Sequence, residues 1–210
     1  MALKVHTIPV TSLMQNATIV WDEETKDCII SDMGGSVDKF LSFIKDNQLH
    51  LNAIWLTHGH FDHIQAVAEF LHKQTVDVLG PHHEDSFWIQ GLPTVLKNYG
   101  FPLKESFTPT RWLKEGDQLK IGHYPFIVLE IPGHTPGHVV FYSEKAKLLI
   151  AGDVLFLESI GRTDLPKGNH QDLIKNIKNK LLILPEDTTV ITGHGPYTTI
   201  GHEKKYNPFF

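Results

Sequence analysis

The sequence predicts a single mixed α/β domain, and three observations carry that expectation. Strand and helix patterns alternate from Leu3 to Leu79, strand patterns return from Gln118 to Ala151, and histidines cluster where strands end. At 210 residues the chain has the length of one domain, expected to span residues 1–210. A hydrophobic share of 41% and a charged share of 20% are those of a globular protein and exclude disorder. The net charge of −5 speaks against broad binding to nucleic acid or an anionic membrane. The longest apolar runs, Leu148–Ala151 and Leu181–Leu184, are far too short to span a bilayer. The N-terminus alternates apolar and polar residues without a signal-peptide core, so a cytoplasmic location is expected.

The elements follow in order. Residues 3–10 and 17–30 read as antiparallel strands, the second interrupted by a turn from Asp22 to Asp27. Cys28 is the only cysteine; beside Ile29 and Ile30 it is expected to be a buried small hydrophobe. After a turn at Asp32-Met33-Gly34-Gly35, Ser36 is expected to cap a helix with Val37, Phe40, Leu41 and Ile44 on its apolar face, ending near Asn47. A strand from Ala53 to Leu56 comes next, and a helix patterned by Ile64, Val67, Ala68 and Leu71 runs through Lys73. A short strand, Val76 to Leu79, stops at Gly80-Pro81. Residues 82–110 are less regular: His82-His83-Glu84-Asp85 reads as an acidic helix start, and Phe87 to Tyr99 as broken helix suited to a flap over a substrate. Four strands follow, Gln118–Ile121, Tyr124–Ile131, Val139–Tyr142 and Leu148–Ala151. A helix over residues 170–182 turns Leu173, Ile174, Ile177 and Leu181 inward, and a last strand runs from Thr189 to Thr192.

Histidine is the unusual component, at 14 residues. Thr57 to His63 reads T-H-G-H-F-D-H directly after the strand ending at Leu56. A lone loop histidine is ordinarily a surface residue, but four potential ligands in six positions are hard to explain without a metal. On extended backbone, His58 and His60 project to the same side and can share an ion. Asp62 falls in the first turn of the next helix with His63 beside it, aimed at a second, adjacent point. Other strand ends present His134, between glycines and prolines, then Asp153 after Gly152, and His194 between glycines.

With T-H-G-H-F-D-H at Thr57, G-H-T-P-G-H at Gly133, G-D at Gly152 and G-H-G-P at Gly193, in that order, the chain resembles the metallo-β-lactamase superfamily. Within it, G-R-T-D-L-P at Gly161 and N-P-F-F at Asn207 are similar to short glyoxalase II-like hydrolases. The resemblance covers nearly the whole chain. It implies a four-layer αββα sandwich of two mixed sheets, without the C-terminal helical domain of full-length glyoxalase II. It also implies two divalent metal ions. One takes His58, His60 and His134, the other Asp62, His63 and His194, and Asp153 bridges them. Imidazole and carboxylate ligands suit zinc, and iron or manganese would also accept them.

The implied activity is hydrolysis of a small-molecule thioester, S-D-lactoylglutathione or a related acyl-glutathione, in methylglyoxal detoxification. A hydroxide shared by the two ions would attack the carbonyl carbon, with Asp62 and Asp153 as the carboxylates of the catalytic centre. Arg162 is expected to meet the glutathione part, with an ion pair to Asp164 as the rival account, and Tyr197 to line the same pocket. His138 is expected either to support the ligands or to be purely structural. The alternatives are a persulfide dioxygenase with one iron on His58, His134 and Asp153, a lactone or other ester hydrolase, and a non-catalytic metal-binding scaffold. The complete set of seven ligands favours hydrolysis.

Overall fold

The computed structural model describes residues 2–210. Sheet one contains β1 (Leu3–Val10), β2 (Gln15–Asp22), β3 (Asp27–Ser31), β4 (His50–Trp55) and β5 (Asp77–Leu79), in that spatial order. Its first three strands form the expected antiparallel meander, and β3, β4 and β5 run parallel. Between β3 and β4 lies α1 (Val37–Asp46); between β4 and β5 lie α2 (Phe61–Ile64) and α3 (Val67–Lys73). The region after β5 carries α4 (Ser86–Gln90) and α5 (Leu92–Asn98).

Sheet two is built from β6 (Gln118–Ile121), β7 (Tyr124–Glu130), β8 (Val139–Ser143), β9 (Leu148–Gly152), β12 (Thr189–Thr192) and β13 (Thr198–Thr199). Its spatial order is β13-β12-β9-β8-β7-β6, antiparallel except for the parallel pair β9 and β12. A hairpin of β10 (Leu155–Phe156) and β11 (Ser159–Ile160) and the helix α6 (His170–Asn176) precede β12; α7 (Ile200–Tyr206) ends the fold.

Successive strand residues point to opposite faces, and where both faces are covered, as along β2, β3, β8 and β9, nearly every residue is buried, whereas β1, β6 and β7 leave residues exposed. Val20, Ile29 and Trp55 of sheet one face Phe126, Phe141 and Ile150 of sheet two. The buried Trp55 ring lies 5.3 Å from Phe126 and 4.9 Å from Phe141, tying the sheets together. Their chain neighbours Ile19, Ile30 and Ile54 face outward against Phe40, Phe70 and Leu96 of the helices. On the far side, Val140, Leu149 and Val190 meet Leu173, Ile177 and Ile200. The result is the αββα sandwich, with Cys28 on β3 buried as a free thiol against the first helical layer.

Three local expectations need correction. Ser36 does not cap α1 with its side chain: at φ 57° it adopts the left-handed conformation and makes no capping bond. The helix expected through Lys73 breaks between α2 and α3, because the Ala66 amide turns away to donate to Met33 O at 3.2 Å. The segment 170–182 is α-helical only to Asn176 and continues as a π-turn over Ile177–Leu181, leaving Ile174 half-buried rather than fully inward.

Candidate metal centre

Loops at the ends of β4, β7, β9 and β12 converge on one edge of the sandwich. Because β9 and β12 run parallel, they deliver Asp153 and His194 side by side, locked by Gly193 N donating to Gly152 O at 2.7 Å. A Cβ at Gly193 would collide with Asp153 Oδ1, so the close approach requires glycine. Gly133, at φ 142°, lets the turn before β8 pass against Leu173 of α6 and place His134 at the same edge.

Seven residues meet there. His58, His60 and His134 form one group and Asp62, His63 and His194 another, with potential ligand atoms in each group within 4.8 Å of one another. Asp153 lies between them: Oδ1 is 3.3 Å from His63 Nε2, and Oδ2 is 3.6 Å from both His134 Nε2 and His194 Nε2. His194 Nε2 is also 3.2 Å from Asp62 Oδ2. A third grouping, Asp32 with His58 and His63, is not open to an ion. Asp32 Oδ1 already accepts from Thr57 N at 2.8 Å, and Oδ2 from Thr57 Oγ1 at 2.8 Å and His63 Nδ1 at 3.0 Å.

Hydrogen bonds set which nitrogen each ring offers. His63 Nδ1 donates to Asp32, His134 Nδ1 to Arg162 O at 2.7 Å, and His194 Nδ1 to Leu13 O at 3.0 Å. Since Thr57 Oγ1 gives its proton to Asp32, it accepts from His58 Nδ1 at 3.0 Å. Four imidazoles are thus protonated on Nδ1, which turns the Nε2 lone pair into the site. Nε2 of His58, His60, His63 and His134 and Oδ1 of Asp153 are buried without a hydrogen-bond partner. Buried polar atoms are normally paired, and a cluster of orphaned donor atoms of these types fits metal ions.

Charge divides the two groups. In the metal-free chain, burial, and then the neighbouring imidazoles, push His58 and His60 well below the usual histidine range; burial also lowers His134. Burial pulls His63 and His194 down too, but carboxylates outweigh it and raise both: Asp153, Asp62 and Asp32 around His63, and Asp62 and Asp153 beside His194. Burial alone would raise Asp153, yet His63, His134 and His194 hold it far below the carboxylate range.

Two buried carboxylates outside the ligand motifs brace the loops. Asp32 is one. The other, Asp85, joins three segments: its Oδ2 accepts from Gly59 N at 2.8 Å and Thr135 Oγ1 at 2.7 Å, and its Oδ1 from Gly137 N at 2.6 Å. Burial pushes the Asp85 carboxyl up to about 6 against those bonds. His138 holds the Asp153 amide through Nε2 at 3.1 Å and stacks on His58 at 4.7 Å, outside both ligand groups. His82 and His83 join no metal group among the described residues; His82 Nδ1 accepts from Glu84 N at the start of a 3₁₀ turn.

The site opens into a cleft of about 840 Å³. Its floor includes His60, Asp62, His134, Asp153 and His194. One wall comes from the broken helix expected to act as a flap, with Trp88, Val95, Tyr99 and Phe101. Arg162 also lines the cleft, while its guanidinium grips Asp164 with two bonds of 2.7 Å. The expected ion pair with Asp164 is therefore present, and Arg162 stands in the cleft. Tyr197, by contrast, is not among the lining residues. Its hydroxyl pairs with Thr7 on β1, because the chain at Tyr197 turns into the edge strand β13. No helix among the described residues is long and apolar enough to cross a membrane.

The model of the metallo-β-lactamase superfamily matches residues 10–194. Hydroxyacylglutathione hydrolase GloC of Haemophilus influenzae is 41% identical over 208 residues, covering 99% of this chain and 98% of that protein. Among solved structures, the B3 metallo-β-lactamase BLEG-1 superimposes with a TM-score of 0.90 at 39% identity, over 98% of this chain and 99% of that one. TTHA1623, in a di-iron-bound form, gives 0.89 at 36% identity, over 98% and 100% of the two chains. With its strand-end ligand loops, its sandwich and these matches, the chain belongs to the metallo-β-lactamase superfamily.

Proposed function

We propose that this chain is a cytoplasmic, metal-dependent hydrolase of acyl-glutathione thioesters, with S-D-lactoylglutathione as substrate in methylglyoxal detoxification. The observation that carries the reading is the pair of ligand sets around Asp153 at the floor of an open cleft. Similarity to GloC, a hydroxyacylglutathione hydrolase by name, supports a thioester as the bond cleaved. His58, His60 and His134 would hold one divalent ion, and Asp62, His63 and His194 the second, with Asp153 serving both. Nitrogen and oxygen donors in this proportion suit zinc, and they accept iron or manganese as well. When bound, such ions supply Lewis acidity and bring the pKa of water down to about 7.

The chain's own residues arrange the rest. Asp62 and Asp153 face the cleft floor and orient the attacking water. Arg162 meets a carboxylate of the tripeptide, and its ion pair with Asp164 holds the guanidinium ready rather than competing with that role. In the reaction the water oxygen bonds to the carbonyl carbon, the C–S bond breaks with its electron pair on sulfur, and the water's proton passes to solvent. A cysteine-type thiol has a pKa of about 8.5, so it departs as thiolate without a dedicated general acid.

Persulfide dioxygenation would use only His58, His134 and Asp153, and the completed second set favours hydrolysis over it. Similarity to BLEG-1 favours one second reading, hydrolysis of a β-lactam ring on the same floor. The test is turnover of S-D-lactoylglutathione, and in parallel of a chromogenic cephalosporin, by protein of measured metal content. Rapid thioester turnover with about two metals per chain, lost in Asp153→Ala, is expected. No thioester turnover by fully loaded protein removes the reading.

A further inference from the structure

Resting on the thioesterase reading, the geometry points to a specificity of the cleft for acyl groups that are large and apolar, aryl above all, over the small lactoyl group. The cleft, at about 840 Å³, is near the upper end of the size of small-molecule sites and is shared by carrier and acyl group. Its aromatic wall begins at the reacting centre. Trp88 stands edge-on to His60 at 4.7 Å, and Phe61 directly follows that histidine in the chain. From Phe61 the panel continues outward, with the Tyr99 ring at 5.8 Å, nearly parallel, and the Phe101 ring at 5.2 Å. Tyr99 is 61% exposed, so the outer end of this panel is bare apolar surface in the cleft, while Trp88, Phe61 and Phe101 are half-buried.

The other part of the substrate has a different partner. Arg162 is the only lysine or arginine among the described residues that line the cleft, and it projects from the loop after β11. A carboxylate-bearing tripeptide carrier is drawn to Arg162, which lies near the Tyr99 end of the panel, and an acyl group on the metal side of that carrier reaches the panel from Phe61 to Tyr99. A lactoyl group offers that panel one methyl and leaves it in water, whereas a phenyl ring covers it and gains both burial and stacking. One methylene in a hydrophobic pocket changes kcat/KM by roughly 10- to 200-fold. For a ring on a partly open wall we expect about tenfold.

The test compares S-D-lactoylglutathione with S-D-mandeloylglutathione on metal-loaded protein. The two share the carrier and the 2-hydroxyl, and a phenyl replaces the methyl. The mandeloyl thioester is expected to have at least about tenfold higher kcat/KM, and Tyr99→Ala to lower that ratio at least about threefold. A ratio of one or less, or a ratio that Tyr99→Ala leaves unmoved, overturns the inference while the thioesterase reading stands. Calorimetric binding of two unreactive thioethers, S-benzylglutathione and S-methylglutathione, separates the two claims. Tighter binding of the benzyl compound by about tenfold, with no turnover of either thioester, supports the apolar pocket and overturns the hydrolysis. Equal affinities overturn the pocket.

Discussion

The two halves of the metal centre are fastened differently. The His58, His60 and His134 side is buried throughout, and its loops are tied together by Asp85, itself fully buried. On the other side His63 is held as firmly by Asp32, but the His194 side chain is 28% exposed and donates to a carbonyl in the β1–β2 turn. That turn is a surface feature: Leu13 is 46% exposed and Met14 61%. A metal set is only as rigid as its least-supported ligand, so the first set is the preorganised one and the second the yielding one.

The largest expected effect breaks the comparison by removing what the halves share. Asp153→Ala is expected to lower kcat on the order of 10³-fold, the equivalent of several kcal/mol of transition-state stabilisation. Metal content should fall below two per chain in the same sample; retention of two ions with full activity would mean that Asp153 bridges nothing. Asp32→Ala comes next. It releases the Nδ1 of His63, and loss of such a partner costs about 10–100-fold in metal affinity. Equilibrium dialysis should find the larger loss at the His63 ion and a smaller one at the His58 ion, which Asp32 reaches only through Thr57; an equal loss at both would show that the two sets share this brace evenly.

Titration with a chelator sharpens the contrast further. One ion is expected to leave at about tenfold lower chelator concentration than the other, and His194→Ala should abolish that early step while sparing the later one. Simultaneous release would erase the distinction between the halves. Acid should reproduce the same order. A proton competes for each imidazole, and carboxylates raise His63 and His194 while burial lowers His58, His60 and His134. As pH falls, protons therefore reach the second set first, and metal content measured against pH should drop in two steps with the His194 ion lost at the higher pH. The smallest effect lies outside both halves: Arg162→Ala should raise KM for a glutathione thioester about fivefold, the scale of an exposed ion pair, and leave kcat nearly unchanged.

What was legible in the sequence was local. His58, His60, Asp62 and His63 lie within one motif, and glycines frame His134 and His194, so the strand-end character of each ligand shows in its own neighbours. The mixed α/β class shows in the alternation of strand and helix patterns, and the sandwich only through the resemblance that the ligand motifs carry. Asp32 and Asp85 were not legible as supports, because their meaning depends on partners far along the chain. Asp32 reads as a turn residue until Thr57 and His63 arrive, and Asp85 as a helix-start acid until Gly59 and Gly137 close over it. An acidic residue directly after a strand, with no basic neighbour to pair with, is the faint signal Asp32 did offer. The Ser36 cap failed because a left-handed backbone leaves its hydroxyl no amide to accept from, and Tyr197 was misplaced because nearness to His194 in sequence is not nearness in space. The break at Gln65–Ala66 was invisible to periodicity, since it is caused by a carbonyl on Met33.

Leu13 lines the cleft and holds His194 with its carbonyl. The turn at the start of the chain therefore ties a cleft-lining residue to His194. By thermodynamic reciprocity, any cleft ligand that presses the turn inward tightens the hold on the second ion by the same factor that the ion tightens the hold on the ligand. Metal affinity measured with and without bound S-benzylglutathione reads that factor directly, and a value of one would mean that the turn transmits nothing.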